Sequence, residues 1–385
     1  MMRPMKLAGS QLMFGEGCLE FLAQLNTKRA SLVIGGHSME KSGILDKVVK
    51  ILEENKVEVS IIRDVEPDPS FKTVITGAKK MLEFEPDTII ALGGGSVMDA
   101  AKTMWVYYEH PELKTLEDIL PPNDFPKLHI KAKFVCIPST AGTASEVSRS
   151  VVISDENGMK HGIGNMEMMP DVAICDPLVT LSMPLATTAD TGLDALTHAL
   201  EAFASTRANY LSDILATQSA IDIINTLPKV FNDRNDIKLR EIMLNASMVA
   251  GLAFTNVSLG IVHSMAHTVG SYFHVPHGLA NAIILPYIIE FNSQNEVAKN
   301  KYDDFVKQLG KDKPLQNIIR DLNSQLNIPS NFSSVIKDRS LYLEKLDEMA
   351  ECAKSDGCTK TNPIIPTIEQ FKELFLLIFP EKGVC

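Results

Sequence analysis

The 385-residue chain is 45% hydrophobic and 22% charged, the balance of a globular protein rather than a disordered or fibrous one. Its formal net charge of −11 argues against a nucleic-acid partner, which needs a concentrated basic surface, and no run of ~18 apolar residues marks a membrane span. The six cysteines stand apart without a CxxC pair and the N-terminus lacks a secretory apolar stretch, so reduced thiols in a cytoplasmic protein are expected and a thiolate metal site is not.

Two domains are the default at this length. Residues 30–34 read as a buried strand, followed by the Gly35-Gly36 turn and an amphipathic helix near 44–55. A second strand at 57–62 leads through the proline-rich turn at 66–69 to a helix at 71–84. Residues 88–92 form the third strand, Gly93-Gly94-Gly95 a turn, and 96–108 a helix. Further strands are expected at 134–137 and 172–175, with a small hairpin beginning near 151–155 and Met159, Met166, Met168 and Met169 packed beneath it. The alternation of strand and helix predicts an α/β domain with a mainly parallel, Rossmann-like sheet over residues 1–184. After Pro184 the period becomes helical, at 187–205, 211–227, 238–255 and 258–273, which predicts an all-helical domain over 185–385.

Three motifs carry chemistry. Gly93-Gly94-Gly95-Ser96 joins a strand to a helix, where glycines admit a phosphate and the helix start offers free N–H groups. Asp99, three residues after Ser96, is placed to cap that helix. A plain βα turn would read the same way, and the run is not the GxGxxG fingerprint. The hydroxyl-rich stretch Pro138-Ser139-Thr140-Ala141-Gly142-Thr143 follows another strand, and two such loops at strand ends outline a ligand crevice. In the second half, Asp194 and His198 lie four apart, on one helix face, and His263, His267, His274 and His277 cluster within a short stretch. One carboxylate with several imidazoles suits a divalent transition metal. Spacing alone leaves the choice of ligands open, because His263, His267 and His274 fit one helix face.

Together, ALGGGSVMDAAK (91–102), PSTAGTASEV (138–147), PDVAICDP (170–177), TGLDALTHALEAF (191–203) and LGIVHSMAH through HVPHGLANAIILPY resemble the iron-containing (group III) alcohol dehydrogenases. Within that family the chain is most similar to butanol dehydrogenases and to the alcohol dehydrogenase half of bifunctional aldehyde–alcohol dehydrogenases. The resemblance implies the dehydroquinate synthase-like fold, with a nucleotide domain, a helical metal domain and a cleft between them. It makes Asp194, His198, His263 and His277 the metal ligands, for Fe²⁺ or Zn²⁺, and His267 a histidine near the metal that is not itself a ligand. Imidazole chemistry makes His267 a candidate catalytic proton relay, or else a residue that orients a ligand. It assigns Gly36, Gly94, Gly95, Ser96, Asp99, Ser139, Thr140, Thr143, Ser150 and Lys160 to the cofactor side.

The implied reaction is reversible hydride transfer between NAD(P)H and a short-chain aldehyde, in a homodimer or larger assembly. Three departures bear on specificity. Gly36 stands where NAD-preferring relatives carry an aspartate, with His37 and Lys41 nearby, which favours NADP over NAD. Ser150 beside Arg149 replaces a bulkier or amide side chain, and Lys160-His161 replaces a Tyr-Pro pair. Ile364 follows Asn362-Pro363 where arginine is common. These changes raise a small anionic aldehyde, such as sulfoacetaldehyde or phosphonoacetaldehyde, as an alternative substrate. A metal-dependent lyase on the same architecture is the alternative from another class.

Overall fold

The computed structural model describes residues 5–380. In its first half the chain runs β1 (Gln11–Phe14), β2 (Arg29–Ile34), α1 (Ser38–Lys41), α2 (Ile44–Glu54), β3 (Glu58–Ile62), α3 (Phe71–Phe84), β4 (Thr88–Gly93), α4 (Gly95–Glu109), β5 (Lys133–Pro138), β6 (Ser150–Ser154), β7 (Lys160–Gly164) and β8 (Val172–Cys175). Six strands form one sheet in the order β1-β8-β5-β4-β2-β3, and every pairing in it is parallel. The predicted sheet gains a strand that the sequence reading passed over: β1 pairs with β8 at the edge.

Parallel strands covered on both faces must be apolar on both. In β4, Ile89 and Ala91 join the core that packs with α3 and α4, whereas Ile90 and Leu92 join the core on the α2 side. The expected hairpin is β6–β7, antiparallel and laid beside α4. Met168 and Met169 are buried near it, but Met159 is 61% exposed, because the tight turn between the strands carries it away from the core.

The second half is helical: α5 (Leu185–Ala204), α6 (Tyr210–Asn232), α7 (Ile237–Val257), α8 (Ile261–Phe273), α9 (His277–Asn292), α10 (Glu296–Gln308), α11 (Leu315–Gln325), α12 (Arg339–Glu344), α13 (Leu346–Ser355) and α14 (Ile368–Ile378). No single helix among the described residues is long and apolar enough to cross a membrane. Pro286 interrupts α9 and cannot donate to the Ala282 carbonyl one turn back. The buried Asn323 on α11 supplies that donor instead, Nδ2 to Ala282 O at 2.6 Å.

Two close approaches seat the helices on the sheet domain. A Cβ on Gly142 would lie 2.6 Å from Thr191 Cβ on α5, and one on Gly251 of α7 would lie 2.4 Å from Ala144 Cβ. A third approach locks α9 onto α5, where a Cβ on Gly278 would stand 2.2 Å from the Asp190 carbonyl. Gly278→Ala should therefore destabilise the fold by about 1–3 kcal/mol, as overpacking against backbone does. Denaturant unfolding checks this, and an unchanged midpoint and slope would contradict the packing.

Candidate metal centre and cofactor cleft

Helix α5 supplies Asp194 and His198, four residues apart on its buried face. Helix α8 supplies His263 and His267 with the same spacing. His274 leaves this face, because it closes α8 in the left-handed conformation at φ 53°. Pro276 then starts α9, and His277 is its first residue. Three helices thus bring four of the predicted side chains together.

The ligand-type atoms converge on one oxygen. Asp194 Oδ1 lies 3.6 Å from His263 Nε2, 3.5 Å from His277 Nε2 and 3.8 Å from His198 Nε2. Ligands about 2.1 Å from a tetrahedral ion stand ~3.4 Å apart, so the spacing fits. Candidate donor atoms of Asp194, His263 and His277 all lie within 4.8 Å of one another.

The far ring nitrogens are already committed. His198 Nδ1 meets the Gly142 carbonyl at 3.2 Å. A carbonyl only accepts, so Nδ1 carries the proton and Nε2 keeps its lone pair for the site. His263 Nδ1 donates to Glu201 Oε2 at 2.5 Å. The nitrogen of Asn281 lies 2.7 Å from Asp194 Oδ1, 3.1 Å from His277 Nε2 and 3.3 Å from His263 Nε2. Its own Oδ1 is buried without a donor among the described residues. One carboxylate and three imidazoles at these spacings fit a divalent cation.

Electrostatics agree with that fit. Burial depresses His198 to about 4 and His277 to about 3, although Asp194 opposes both shifts, so both rings are neutral and ready to ligate. Burial also works against a charged Asp194, but His198, His277 and His263 hold its carboxyl well below the usual range. His263 is the exception: against burial, Glu201 and Asp194 raise it to about 9.

Glu201 and Asp356 escaped the sequence reading. Glu201 follows His198 by three residues on the same helix face, a signal that was available. Its second oxygen accepts Val262 N at 2.7 Å, so it also caps α8, and a Cβ on Gly260 would crowd that oxygen at 2.8 Å. Asp356 accepts His267 Nδ1 at 2.8 Å from a segment 89 residues on, which no local pattern announces. His267 stacks on His277 at 5.3 Å and stays partly exposed, beside the converged atoms rather than among them.

The glycine-rich and hydroxyl-rich loops lie against each other. A Cβ on Gly95 would sit 2.6 Å from Thr143 Cγ2, and one on Gly94 would sit 3.3 Å from Thr140 Cγ2, so the two loops pack without a side chain between them. No side chain caps α4. The expected cap, Asp99, turns away: its oxygens accept Ser145 Oγ at 2.8 Å and Val152 N at 2.9 Å. The buried Lys102 completes this knot by donating to Ser145 and Ser148. Ser139 is anchored to β4 through its N–H on Gly93 O at 2.9 Å. Nothing lies within 4 Å of a Cβ built on Gly36, which leaves the end of β2 open. Ser150 is exposed at the start of β6, and Lys160 pairs with Asp68 at 2.7 Å, reaching toward Gly270 on α8.

The comparisons bear on this arrangement. The iron-containing alcohol dehydrogenase model matches residues 9–177, and the C-terminal model of the Fe-containing alcohol dehydrogenase family matches residues 188–379. The chain belongs to the iron-containing alcohol dehydrogenase family. An NADPH-dependent butanol dehydrogenase of Clostridium saccharobutylicum is 44% identical over 95% of both chains. An aldehyde-alcohol dehydrogenase of Streptococcus pneumoniae is 38% identical over 97% of this chain and 45% of its own length. The structure of an iron-containing alcohol dehydrogenase from Thermococcus thioreducens superposes with a TM-score of 0.91 at 32% identity, covering 98% of this chain and 100% of that one. As a member of this alcohol dehydrogenase family, the chain is an oxidoreductase that interconverts alcohols and aldehydes with a nicotinamide cofactor.

Glu201 touches two helices of the dehydrogenase at once, which makes it the sharpest probe of the cluster. Glu201→Ala should weaken divalent-metal retention by about 10–100-fold, the usual effect of losing a carboxylate behind a ligating imidazole. Metal content after dialysis against a graded chelator reads this directly, and wild-type retention would contradict it.

Proposed function

We propose that this dehydrogenase reduces short-chain aldehydes reversibly with NADP(H), and that Asp194, His198, His263 and His277 hold one divalent metal, Fe²⁺ or Zn²⁺. The observation that carries the reading is the convergence of three imidazole nitrogens on one Asp194 oxygen, with one of those rings anchored by the hydroxyl-rich loop. When bound, the metal supplies Lewis acidity toward a substrate oxygen and the nicotinamide gives or takes the hydride.

The chain's own groups do the rest. His198 Nδ1 donates to the Gly142 carbonyl, which orients the ring against the hydroxyl-rich loop. Gly94, Gly95 and Ser96 offer uncapped helix N–H groups to a diphosphate, with Ser139, Thr140 and Thr143 facing them. His267 is held by Asp356 through Nδ1, which leaves Nε2 to pass a proton between the site and solvent. Lys160 closes the ribose side of the cleft from the β6–β7 hairpin.

The preference for NADP(H) rests on Gly36, where no carboxylate opposes a 2′-phosphate. Glu40 lies nearby, but His37 at 2.9 Å and Arg63 at 3.1 Å bracket its carboxylate. The NADPH-dependent relative supports the same choice. Gly36→Asp should shift the NADPH:NADH ratio of kcat/KM toward NADH by at least about tenfold, since a carboxylate there repels the phosphate. An unchanged ratio would remove Gly36 from cofactor choice.

Verified metal removal should abolish NADPH oxidation with butanal, and Fe²⁺ or Zn²⁺ should restore it. Full turnover in metal-free protein would overturn the proposal.

A further inference from the structure

Of the four residues that suggest an anionic substrate, two are neutralised within the protein. Lys160 pairs with Asp68 at 2.7 Å, and His161 pairs with Asp155 at 3.0 Å. Ser150 carries no charge. Arg149 differs: it is half-buried, and its guanidinium has no hydrogen-bond or ion-pair partner among the described residues. A half-buried guanidinium without an acceptor is costly, because all of its donors then rely on solvent.

The charged group that acts on it is another cation, Arg207. Hydrogen bonds tie the two segments to the last turn of α7, just before the connection to α8. Thr255 Oγ1 on α7 donates to Val147 O at 3.4 Å, which holds the short 3-10 turn at Ser145–Val147 that leads to Arg149. Ser205 Oγ donates to Val257 O at 2.6 Å, which holds the segment leading to Arg207. Arg207 is exposed and likewise unpaired among the described residues. Burial, and then the Arg207 charge, push the Arg149 guanidinium below its ordinary value, and no carboxylate counters them. Lys6 is exposed beside the same turn, clipped to Asn256 by two hydrogen bonds.

The connection flanked by these cations leads straight to the metal cluster. It joins α7 to α8, and His263 is the third residue of α8. Phe254, one residue before Thr255, stacks on His198 at 4.5 Å. Thr206 N donates to Thr361 O, and Thr361 Oγ1 donates to Leu259 O within the connection, so Arg207 is held to it from both sides. The adenosine end of the cleft lies elsewhere, at Gly36 and the end of β2. A chain of net charge −11 repels small anions in general, so a local pair of unpaired arginines against the connection that precedes His263 selects for one.

We propose that Arg149, assisted by Arg207, forms a subsite for the anionic group of the substrate, so that the preferred aldehyde carries a carboxylate, sulfonate or phosphonate at its far end. Arginine suits this role because its planar fork pairs with such groups through two parallel hydrogen bonds. The inference rests on the dehydrogenase reading above and narrows its substrate class.

A matched pair of aldehydes tests it: succinic semialdehyde and its uncharged methyl ester, each followed by NADPH oxidation with the metal-loaded enzyme. The wild type should favour the anion in kcat/KM by at least about tenfold, mainly through KM. Arg149→Met should lower kcat/KM for the anion at least about tenfold more than for the ester, Arg149→Lys should recover part of the loss, and Arg207→Gln should shift it the same way by less. Equal or better use of the ester by the wild type would overturn the subsite. So would an equal fall on both aldehydes, or a rise in the KM of NADPH alone, which would assign the pair to the cofactor phosphate. Oxidation of NADPH with neither aldehyde nor butanal would instead overturn the dehydrogenase reading itself.

Discussion

A carboxylate buried among helices is tolerated only if positive or donating groups surround it, since stripping water from such a charge costs several kcal/mol. Around Asp194 the Asn281 amide donates at 2.7 Å and His263 is raised toward its charged form, whereas His198 and His277 are neutral and leave the remaining positive charge to the proposed metal. The helix placements follow from it. Gly278 lets α9 touch the α5 backbone, Gly260 makes room for Glu201, and Pro276 turns the chain so that His277 opens α9 facing the cluster.

The outer contacts of the cluster assign each ring to a different part of the molecule. His198 leans on a loop of the sheet domain, His263 on the helix that carries Asp194, and His267 on a segment far along the chain. The hydroxyl-rich loop and the histidine cluster are therefore in direct contact. Moving the hydroxyl-rich loop would turn the His198 ring, and Gly142 against Thr191 leaves little slack for that motion.

Much of this architecture was legible before any coordinates. The alternation of β-branched runs with amphipathic helices marked five of the six sheet strands, and the loss of that pattern after Pro184 marked the helical half. β1 escaped because four residues at a sheet edge, QLMF, show no clean alternation, and their partner β8 lies far along the chain. The Asp194–His198 spacing and the histidine cluster announced the gathered carboxylate and imidazoles, yet spacing alone left His274 as a candidate until its left-handed backbone took it off the helix. Asp99 has the position of a cap and a different use, because burial beside β6 offered its carboxylate stronger donors than the helix start. Asn281 and Asp356 were invisible as partners of the cluster, since only tertiary packing brings them there.

X-ray diffraction from metal-loaded crystals, collected on either side of the metal's absorption edge, tests the central claim most directly. The account predicts one anomalous peak about 2.0–2.2 Å from an Asp194 oxygen and from Nε2 of His198, His263 and His277. A peak held by His267 in place of one of these rings, or no peak at this cluster, would contradict it.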